Sequence, residues 1–492
     1  MKRFSEIILS PWSLIIAVSV LEILVAFSAS WQLTFDEAIW HYIGRNWFRY
    51  GMVPYSGGVD NKSPFIYMIY GTSDLLFGIN YWFPRLLAII SQVIGLYFVY
   101  RITKHLADNK AGILAIIFYG LSLTWKSTDG NFVSQAQAYE VTFLIIAFYY
   151  YFTGTKTRHF FLAGIIAGIA IAFKLTAALP SLIIFPALFY RNNNQSAFAY
   201  AFGLLISMCL AAVLFLLLGI DLHDLVVYSL SDNFTPGSVT DHPFAWKVRQ
   251  FINQFIYSEM ILFYPFLIVS FFIKRKIHVL LWWLIASFAS LCIIGMFARS
   301  HIKELLPPLS IISAISLLFL IEKYRVSIRY AVIVLVLIFF PRTLNPFIDL
   351  ENILSNNYSS LTNKSDDQLK QQLGLWIRSN TKPAEKVYIA GYSAVVQVYS
   401  ERLSPSVYFN ATQTPLAKQQ LFNDLKTHKP DLVAIPLSKK YTNLIDTDIR
   451  SQIINLVAKG YYEDTCIFKY KIYRRIGGVS LNNRISFQSQ WW

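Results

Sequence analysis

The sequence predicts an α-helical protein that crosses a membrane many times and ends in a small C-terminal α/β domain. Three observations predict this fold class. Only 14% of the 492 residues are charged and 55% are hydrophobic, whereas soluble domains are about 25% charged. Apolar segments close to the length that crosses ~30 Å of hydrocarbon recur between residues 12 and 341. Beyond them the composition becomes polar, and strand-like segments alternate with helical ones.

The predicted transmembrane domain, residues 1–341, contains about eleven apolar segments, of which the two around Lys174 and Pro180 are short for a span. Lys2 and Arg3 precede the first segment, which has no small-residue cleavage site and is interpreted as a retained span. The segments are 12–30, 82–103, 111–126, 136–153, 160–174, 175–190, 198–219, 255–273, 278–298, 305–321 and 329–341.

Positive charges predict the orientation of these spans. With the N-terminus inside, each predicted inner loop carries at least one Lys or Arg, as the positive-inside rule requires. An odd number of spans then places the C-terminus outside. We therefore expect a multi-pass protein of the cytoplasmic (inner) membrane whose C-terminal domain, residues 342–492, is extracytoplasmic. The inner-loop cations are Arg101, Lys104, Lys110, Lys156, Arg158, Arg191, Lys274, Arg275, Lys276, Lys323, Arg325 and Arg329.

Two outer loops are long. The first, residues 31–81, contains predicted helices at 34–50 and 64–77, which suit the membrane interface. The second, residues 220–254, contains Pro236, Gly237 and Pro243 and is predicted to be irregular.

The C-terminal domain is predicted from alternating strand-like and helical segments. The strand-like segments are 386–391, 431–436 and 467–475, and the helical ones are 416–429 and 446–459.

The charge and cysteine content exclude several classes of protein. The net charge of +15 is interpreted as loops that orient spans, because no zinc-finger spacing, Gly-rich phosphate loop or basic helix indicates nucleic acid. Cys209 and Cys292 lie in apolar runs and Cys466 stands alone, so no disulfide framework is predicted. No acidic triad or His/Asp cluster is present, so we expect no essential metal and no cofactor.

Asp36 and Glu37 directly follow the first span, on the predicted outer face. One interpretation is an acid that accepts a proton from an acceptor hydroxyl. The alternative is a helix start, with Thr34 as N-cap and the acids at the positive end of the helix dipole.

Two lysines are candidate functional residues, and the first of them could hold an anion. Lys62 and Asp60 precede Pro64, the first residue of a predicted helix, whose N-terminus favours negative charge. Lys174 ends an apolar run, where ionisable groups are often functional. The alternatives are an Asp–Lys turn at Lys62 and a snorkelling side chain at Lys174.

Further polar residues recur in the predicted outer turns. Arg85 follows Pro84, while Glu22 lies inside the first span without an evident partner. One outer turn contains Asp129, Asn131 and Glu140, and another contains His301, Lys303 and Glu304. We interpret Asp60, Asp129, Glu140, His301 and Lys303 as weaker substrate-binding candidates beside a solvated-loop alternative.

Several segments resemble GT-C-type glycosyltransferases that use a polyprenyl-phosphate sugar, in particular bacterial relatives of protein O-mannosyltransferases and aminoarabinose lipid A transferases. The resemblance covers nearly the whole chain, and its most specific element is the first-loop Asp-Glu pair. The segments are FDEAIWHYIGRNWFRYGMVPYSGGVDNKSPFIYMIYG, FPRLLAI, AYEVTFLIIAFYYYF, LAGIIAGIAIAFK, RSHIKELLPPLSII, VYIAGYSAVVQVYSERLSPSVYF and KYKIYRR.

The resemblance implies roles for individual residues. Asp36 matches the acid that engages or activates the acceptor, with Glu37 as its companion. Lys62 and Lys174 match lysines near the donor phosphate, although the chain has Lys-Ser-Pro where the family has Lys-Pro-Pro. Arg85 matches an arginine that begins the second span, with a structural or substrate-binding (donor-phosphate) role. His301 takes the place of a variable pair before Leu-Pro-Pro.

The resemblance thus implies an inverting transferase of a hexosyl or pentosyl group, acting in the bilayer at the outer face. It implies a polyprenyl-phosphate sugar as donor and a lipid, glycan or protein as acceptor, through a hydroxyl or a phosphate. One alternative is a transporter or flippase of lipid-linked sugars, which needs polar groups facing each other at mid-membrane. The other is a non-catalytic membrane scaffold.

Overall fold

The computed structural model describes most of the chain. The positions described are 10–28, 33–130, 132–191, 193–235, 241–273, 277–343, 366–391, 393–410, 414–437 and 447–477. Several residues weighed in the sequence fall outside these ranges: Lys2, Arg3, Asn131, Pro236, Gly237, Lys274, Arg275 and Lys276.

The chain folds into two compact units. The first comprises Met1–Leu33, Ile43–Tyr55 and Asp60–Asn363. The second comprises Thr34–Tyr42, Ser56–Val59 and Lys364–Trp492, so it combines two short pieces of the first predicted outer loop with the C-terminal region.

Helices make up nearly all regular structure described in the first unit, and the first residues of α2 belong to the second. Short 3₁₀ segments at Lys126–Thr128, Leu175–Ala177, Glu259–Phe263 and Arg299–Glu304 connect some of them. The α-helices are α1 (Pro11–Ser28), α2 (Phe35–Tyr50), α3 (Pro64–Phe77), α4 (Trp82–Leu106), α5 (Asn109–Leu123), α6 (Ala136–Thr153), α7 (Thr157–Phe173), α8 (Ala178–Tyr190), α9 (Asn194–Leu217), α10 (Leu222–Ser229), α11 (Phe244–Phe255), α12 (Tyr264–Ser270), α13 (His278–Ile294), α14 (Leu306–Tyr324) and α15 (Ile328–Phe339).

Three helices in the described ranges, α4, α9 and α14, are long and apolar enough to cross a membrane. A fourth span results if α11 and the bent segment Glu259–Ser270 are counted together, and five further apolar helices are shorter. The chain therefore has several apolar helices, and the number of eleven spans stays a prediction.

Glycines bring α7 and α9 into direct backbone contact. A Cβ atom at Gly164 would lie 2.0 Å from the Tyr200 carbonyl oxygen, and one at Gly203 would lie 2.2 Å from the Phe161 carbonyl oxygen. No side chain fits at either position, and small residues are the usual means of close helix packing in membranes. Since α7 ends at Phe173, this contact helps to fix where Lys174 emerges.

Two expectations for the region 220–273 are wrong. The loop 220–254 is not irregular, because it contains α10 and α11, and Pro243 is the residue directly before α11, where a proline does not interrupt a helix. The predicted span 255–273 is wrong at its start, because the chain bends by 51° between α11 and the helical segment Glu259–Ser270. The side chain of Ser258 accepts a hydrogen bond from the Met260 N–H, which starts a new helical segment at the bend.

The two predicted helices of the first outer loop are confirmed as α2 and α3, and Pro64 begins α3 as expected. Ser63 precedes that proline in an extended conformation. The sequence therefore defines this helix start well, which matters because Lys62 stands directly before it.

In its described residues, the second unit contains a four-stranded sheet and four helices besides the first residues of α2. The strand order is β1-β2-β4-β3, in which β1 and β2 are parallel and the other pairs are antiparallel. The predicted strand 467–475 is wrong at its start, because Phe468 and Lys469 adopt positive φ and form the turn of a β-hairpin. The elements are α16 (Asp366–Asn380), β1 (Val387–Ile389), α17 (Ala394–Ser400), α18 (Pro415–Thr427), β2 (Leu432–Pro436), α19 (Thr447–Gly460), β3 (Tyr461–Ile467) and β4 (Tyr470–Arg475).

Candidate active site

Lys174 lies between α7 and α8, and its ammonium group faces two buried carboxylates. Its Nζ atom is 2.5 Å from Glu304 Oε1 and 4.0 Å from Glu140 Oε2. The side chains of Glu140 and Glu304 are 1% and 3% exposed, against 12% for Lys174. Thr176 Oγ1 bridges the carboxylates, at 2.9 Å from Glu140 Oε1 and 3.0 Å from Glu304 Oε1. A buried Lys–Glu–Glu cluster therefore forms at this helix break.

The backbone around Lys174 is held in place from both sides. Lys174 is the C-terminal cap of α7, with an extended conformation and an N–H that donates to the Ala170 carbonyl. The 3₁₀ segment Leu175–Ala177 follows, and Ser290 Oγ on α13 donates to the Thr176 carbonyl over 3.0 Å. The break in the helix pattern at Lys174, which the sequence indicates, is thus a defined turn.

The loop that carries Lys62 is ordered by two tyrosines. Tyr55 donates to the Lys62 carbonyl over 2.8 Å, and the Tyr67 hydroxyl donates to the Asp60 carbonyl over 3.1 Å and accepts from the Lys62 N–H at 3.3 Å. Burial and the nearby Asp60 charge raise the pKa of Tyr67, so the hydroxyl keeps its proton for this bond. The Lys62 side chain contacts Asn61 Oδ1.

The Lys62 loop is attached to the end of α7. Ser63 Oγ donates to the Ala172 carbonyl, and the rings of Phe65 and Phe173 stack with centroids 4.9 Å apart. These contacts involve the residues directly beside Lys62 and close to Lys174. They bring the two lysines, which are far apart in sequence, into one region of the first unit.

His301 lies within electrostatic range of both lysines. Burial, followed by the charges of Lys174 and Lys62, holds the pKa of His301 well below its usual range. The imidazole is therefore neutral at pH 7, and its buried Nδ1 atom has no hydrogen-bond partner among the described residues. Two cations and a neutral imidazole with spare hydrogen-bonding capacity suit an anionic ligand such as a phosphate.

Lys303 and Asp129 form a neighbouring group. Lys303 Nζ donates to the carbonyls of Asp129, over 3.2 Å, and Phe132, over 2.9 Å. Burial lowers the pKa of Lys303 to about 8, against the opposing charges of Asp129 and Glu22. Burial also raises the pKa of Asp129, which the charges of Lys303 and Arg299 and the Ser300 N–H oppose.

The polar residues that the sequence places in the outer turns thus belong to two groups. Glu140 belongs with Lys174, and Asp129 belongs with Lys303. Glu304, a neighbour of His301 in the sequence that is not a predicted site residue, makes the shorter of the two carboxylate contacts to Lys174.

Arg85 and the first-loop acids have contacts of other kinds. Arg85 is buried, donates to the Ala26 carbonyl over 3.2 Å and lies 5.0 Å from the centre of the Tyr81 ring. Glu37 Oε2 accepts from the Thr34 N–H at 2.8 Å, which is the back-bond of a capping box and fits the helix-start interpretation for Glu37. Asp36 is half-buried in the first turn of α2.

Residues 61–216, which include Lys62, Glu140 and Lys174, match the family described as dolichyl-phosphate-mannose-protein mannosyltransferase. No curated protein matches the chain. Among solved structures, the fold is similar to ArnT from Cupriavidus metallidurans bound to undecaprenyl phosphate, with a TM-score of 0.65, 13% identity, and coverage of 95% of this chain and 98% of that one.

The fold is also similar to the oligosaccharyltransferase AglB from Archaeoglobus fulgidus in complex with an inhibitory peptide and a dolichol-phosphate. The TM-score is 0.52 at 13% identity, with coverage of 96% of this chain and 75% of that one. The family match and these folds confirm the resemblance to GT-C-type glycosyltransferases that the sequence segments indicate.

Proposed function

We propose that the protein is a membrane glycosyltransferase that moves a sugar from a polyprenyl-phosphate donor to an acceptor at the outer face of the cytoplasmic membrane. The observation that carries the proposal is the proximity of Lys62, Lys174 and His301 in the first unit. Supporting it, the similar ArnT structure holds undecaprenyl phosphate and the similar AglB structure holds a dolichol-phosphate.

Lys62 and Lys174 bind the donor phosphate in this proposal. Breaking the bond between the sugar and the phosphate leaves negative charge on the phosphate oxygens, and preorganised cations stabilise charge that develops in the transition state. Neutral His301 donates a hydrogen bond to the same group. The polyprenyl tail lies in the bilayer, beside the apolar helices.

Glu304 is the counter-charge of Lys174. Because its carboxylate contacts Lys174, an arriving phosphate competes with Glu304 for the ammonium group. The contact with Glu304 orients the Lys174 ammonium group before the donor binds. The phosphate then takes over part of the role of the carboxylate.

The transfer itself is one displacement. An acceptor oxygen attacks the anomeric carbon from the side opposite the phosphate, the carbon–oxygen bond to the phosphate breaks, and the configuration inverts. The departing oxygen keeps the electron pair, as polyprenyl phosphate. When the acceptor is a hydroxyl group, Asp36 takes its proton as general base, and the phosphate leaves without a general acid.

Sugar transfer by the purified protein tests the proposal. The protein in nanodiscs is incubated with a total polyprenyl-phosphate-sugar extract and envelope lipids and glycans, and the products are identified by mass spectrometry. Lipids and glycans from cells with and without the protein are compared in parallel. We expect one envelope component to lose a sugar when the protein is absent. Movement of lipid-linked sugar across vesicles without transfer would support a flippase instead, and an unchanged envelope would support a scaffold.

A further inference from the structure

A cavity of about 750 Å³ lies in the first unit, outside the Lys174 cluster. Its wall consists of residues 126, 127 and 129, one face of α11 from Trp246 to Gln254, residues 257–259 and residues 296–299. This volume falls within the ~300–1,000 Å³ typical of small-molecule pockets.

The wall combines side chains that suit a molecule rich in hydroxyl groups. Side-chain amides donate and accept hydrogen bonds at once, as sugar hydroxyls do. Aromatic faces give an apolar surface for the C–H face of a sugar ring. The buried hydroxyl of Ser127 has no hydrogen-bond partner in the described part of the chain, which is unusual for a buried polar group. The amides are Gln250, Asn253 and Gln254, and the aromatic residues are Trp246, Tyr257 and Phe297.

The charges of the wall cancel. Lys126 and Arg299 bring two positive charges, and Asp129 and Glu259 bring two negative ones. A pocket for a phosphate or a nucleotide would carry an excess of cations. The balance favours a ligand without net charge.

The aromatic part of the wall is preorganised. Phe297 has φ of 47°, which is rare for a bulky residue and has to be held by its surroundings. Its ring contacts those of Phe251 and Phe255, with centroids 5.5 Å and 6.1 Å apart. Trp246 stacks on His242 with ring centroids 3.8 Å apart. Such a wall needs little reordering when a ligand binds.

One short helix joins the cavity to the Lys174 cluster. Arg299, at the start of the 3₁₀ segment Arg299–Glu304, lines the cavity, and Glu304, at its end, contacts Lys174. At about 2 Å rise per residue the two ends are about 10 Å apart. Lys303 in the same segment holds the loop of Asp129, another wall residue. We propose that this cavity binds a saccharide unit, carried by the donor or the acceptor; the assignment to those substrates rests on the proposed function.

Saturation-transfer difference NMR on the full chain in nanodiscs tests the pocket directly. The probes are methyl α-mannopyranoside, methyl α-glucopyranoside and methyl β-galactopyranoside. We expect saturation transfer to at least one of them and about tenfold weaker binding in the double variant Gln250→Ala/Asn253→Ala, since two hydrogen bonds are lost. Alanine is well tolerated at helix positions such as these. The matched control is Gln420→Ala, an exposed amide on α18, which should bind as the unaltered protein does.

The proposal that the cavity binds a saccharide would be overturned if none of the three glycosides received saturation from the protein. It would also be overturned if the double variant bound them as tightly as the unaltered protein. Competition experiments show whether the bound saccharide belongs to the donor or to the acceptor. Displacement by mannosyl-phosphoryl-undecaprenol but not by undecaprenyl phosphate indicates the sugar of the donor, and displacement by neither indicates that of the acceptor.

The Lys174→Ala variant separates this inference from the proposed function. If glycosides bind specifically but the unaltered protein transfers no sugar, the transferase proposal fails and the pocket stands. If Lys174→Ala loses transfer while the double variant binds glycosides normally, the pocket fails and the transferase proposal stands.

Discussion

Lys174 and Glu304 are 130 positions apart in the sequence, and the ammonium nitrogen of one lies 2.5 Å from a carboxylate oxygen of the other. Both side chains are largely buried. A buried pair of this kind contributes little net stability compared with apolar residues, but loss of one partner leaves a charge without compensation. The contact therefore ties the proposed phosphate site to the stability of the helical unit, and the two effects have to be separated by experiment.

The double variant Lys174→Met/Glu304→Gln separates the effect of Lys174 on phosphate binding from its effect on stability. We expect Lys174→Met alone to destabilise the protein by about 3–5 kcal/mol, because Glu304 and Glu140 lose their cation. The double variant should recover much of this stability, since a neutral amide replaces one of the two buried carboxylates. It should still bind undecaprenyl phosphate poorly, because it lacks the Lys174 ammonium group. Thermal unfolding and lipid binding in nanodiscs measure the two quantities. Normal lipid binding by the double variant would exclude Lys174 from the phosphate site.

Lys62→Ala should weaken binding of undecaprenyl phosphate by about tenfold or more, because a hydrogen bond to a charged group contributes about 1.5–3 kcal/mol. Stability should change little, since Lys62 is half-buried and its ammonium group, among the described residues, donates only to the side chain of its neighbour Asn61. Lys104→Ala, an exposed lysine on α4, is the matched control. Equal affinity in the Lys62 variant and this control would contradict the assignment.

Lys303 should make stability depend on pH in the alkaline range. Burial lowers its pKa from 10.5 to about 8 in the folded chain, so the unfolded chain binds more protons between these values. The stability of the unaltered protein relative to Lys303→Met should thus rise by about 3 kcal/mol as pH increases from 8 to 10.5, and stay level below 8. The free energy of unfolding of both proteins is measured between pH 8 and 10.5. A stability difference that falls as pH rises would show that the pKa of Lys303 is raised in the folded chain, not lowered.

Asp36→Asn and Glu37→Gln should have different effects. If Asp36 is the base, its loss lowers transfer by about 10²–10⁴-fold with stability near that of the unaltered protein. Glu37 caps α2 through the Thr34 N–H, so Glu37→Gln should cost about 1 kcal/mol or less of stability and little of the rate. Transfer assays with parallel thermal unfolding distinguish the two. A stable and fully active Asp36→Asn variant would place the base elsewhere.

The topology prediction can be tested with a native residue. Cys466 is exposed on β3 and belongs to the part of the chain that is predicted to face outward. A membrane-impermeant thiol reagent should label it in intact spheroplasts, and Cys466→Ser should abolish that label. In a Cys209→Ser/Cys292→Ser/Cys466→Ser background, Ser56→Cys, at an exposed position, should react from outside and Arg275→Cys only after lysis. Labelling of Arg275→Cys in intact spheroplasts would contradict the predicted orientation.

The sequence predicted local features better than pairings. The starts of α2 and α3 and the break at Lys174 follow from caps, prolines and the end of an apolar run, and all three are confirmed. The contact of Lys174 with Glu304 could not be predicted, because nothing in two distant segments indicates which polar residues meet when helices pack. For the same reason, the sequence could not predict that Asp129 and Glu140, which are close in sequence, have different partners.

The errors in the region 220–273 have a different cause. Prolines and a glycine dominated the interpretation of the loop, although Pro243 stands just outside α11. The apolar run predicts a span that starts at residue 255, whereas the cap formed by Ser258 starts the helical segment at Glu259. Short helices with local caps are weakly marked in a sequence where most segments are apolar.

The 3₁₀ segment Arg299–Glu304 also limits which changes of chain length the protein can accept. In a 3₁₀ helix each residue advances the chain by a third of a turn. An insertion or deletion of one residue between Arg299 and Glu304 would therefore rotate the Glu304 carboxylate by about 120° relative to Arg299. The length of the segment therefore cannot be altered without moving one of its two ends out of register.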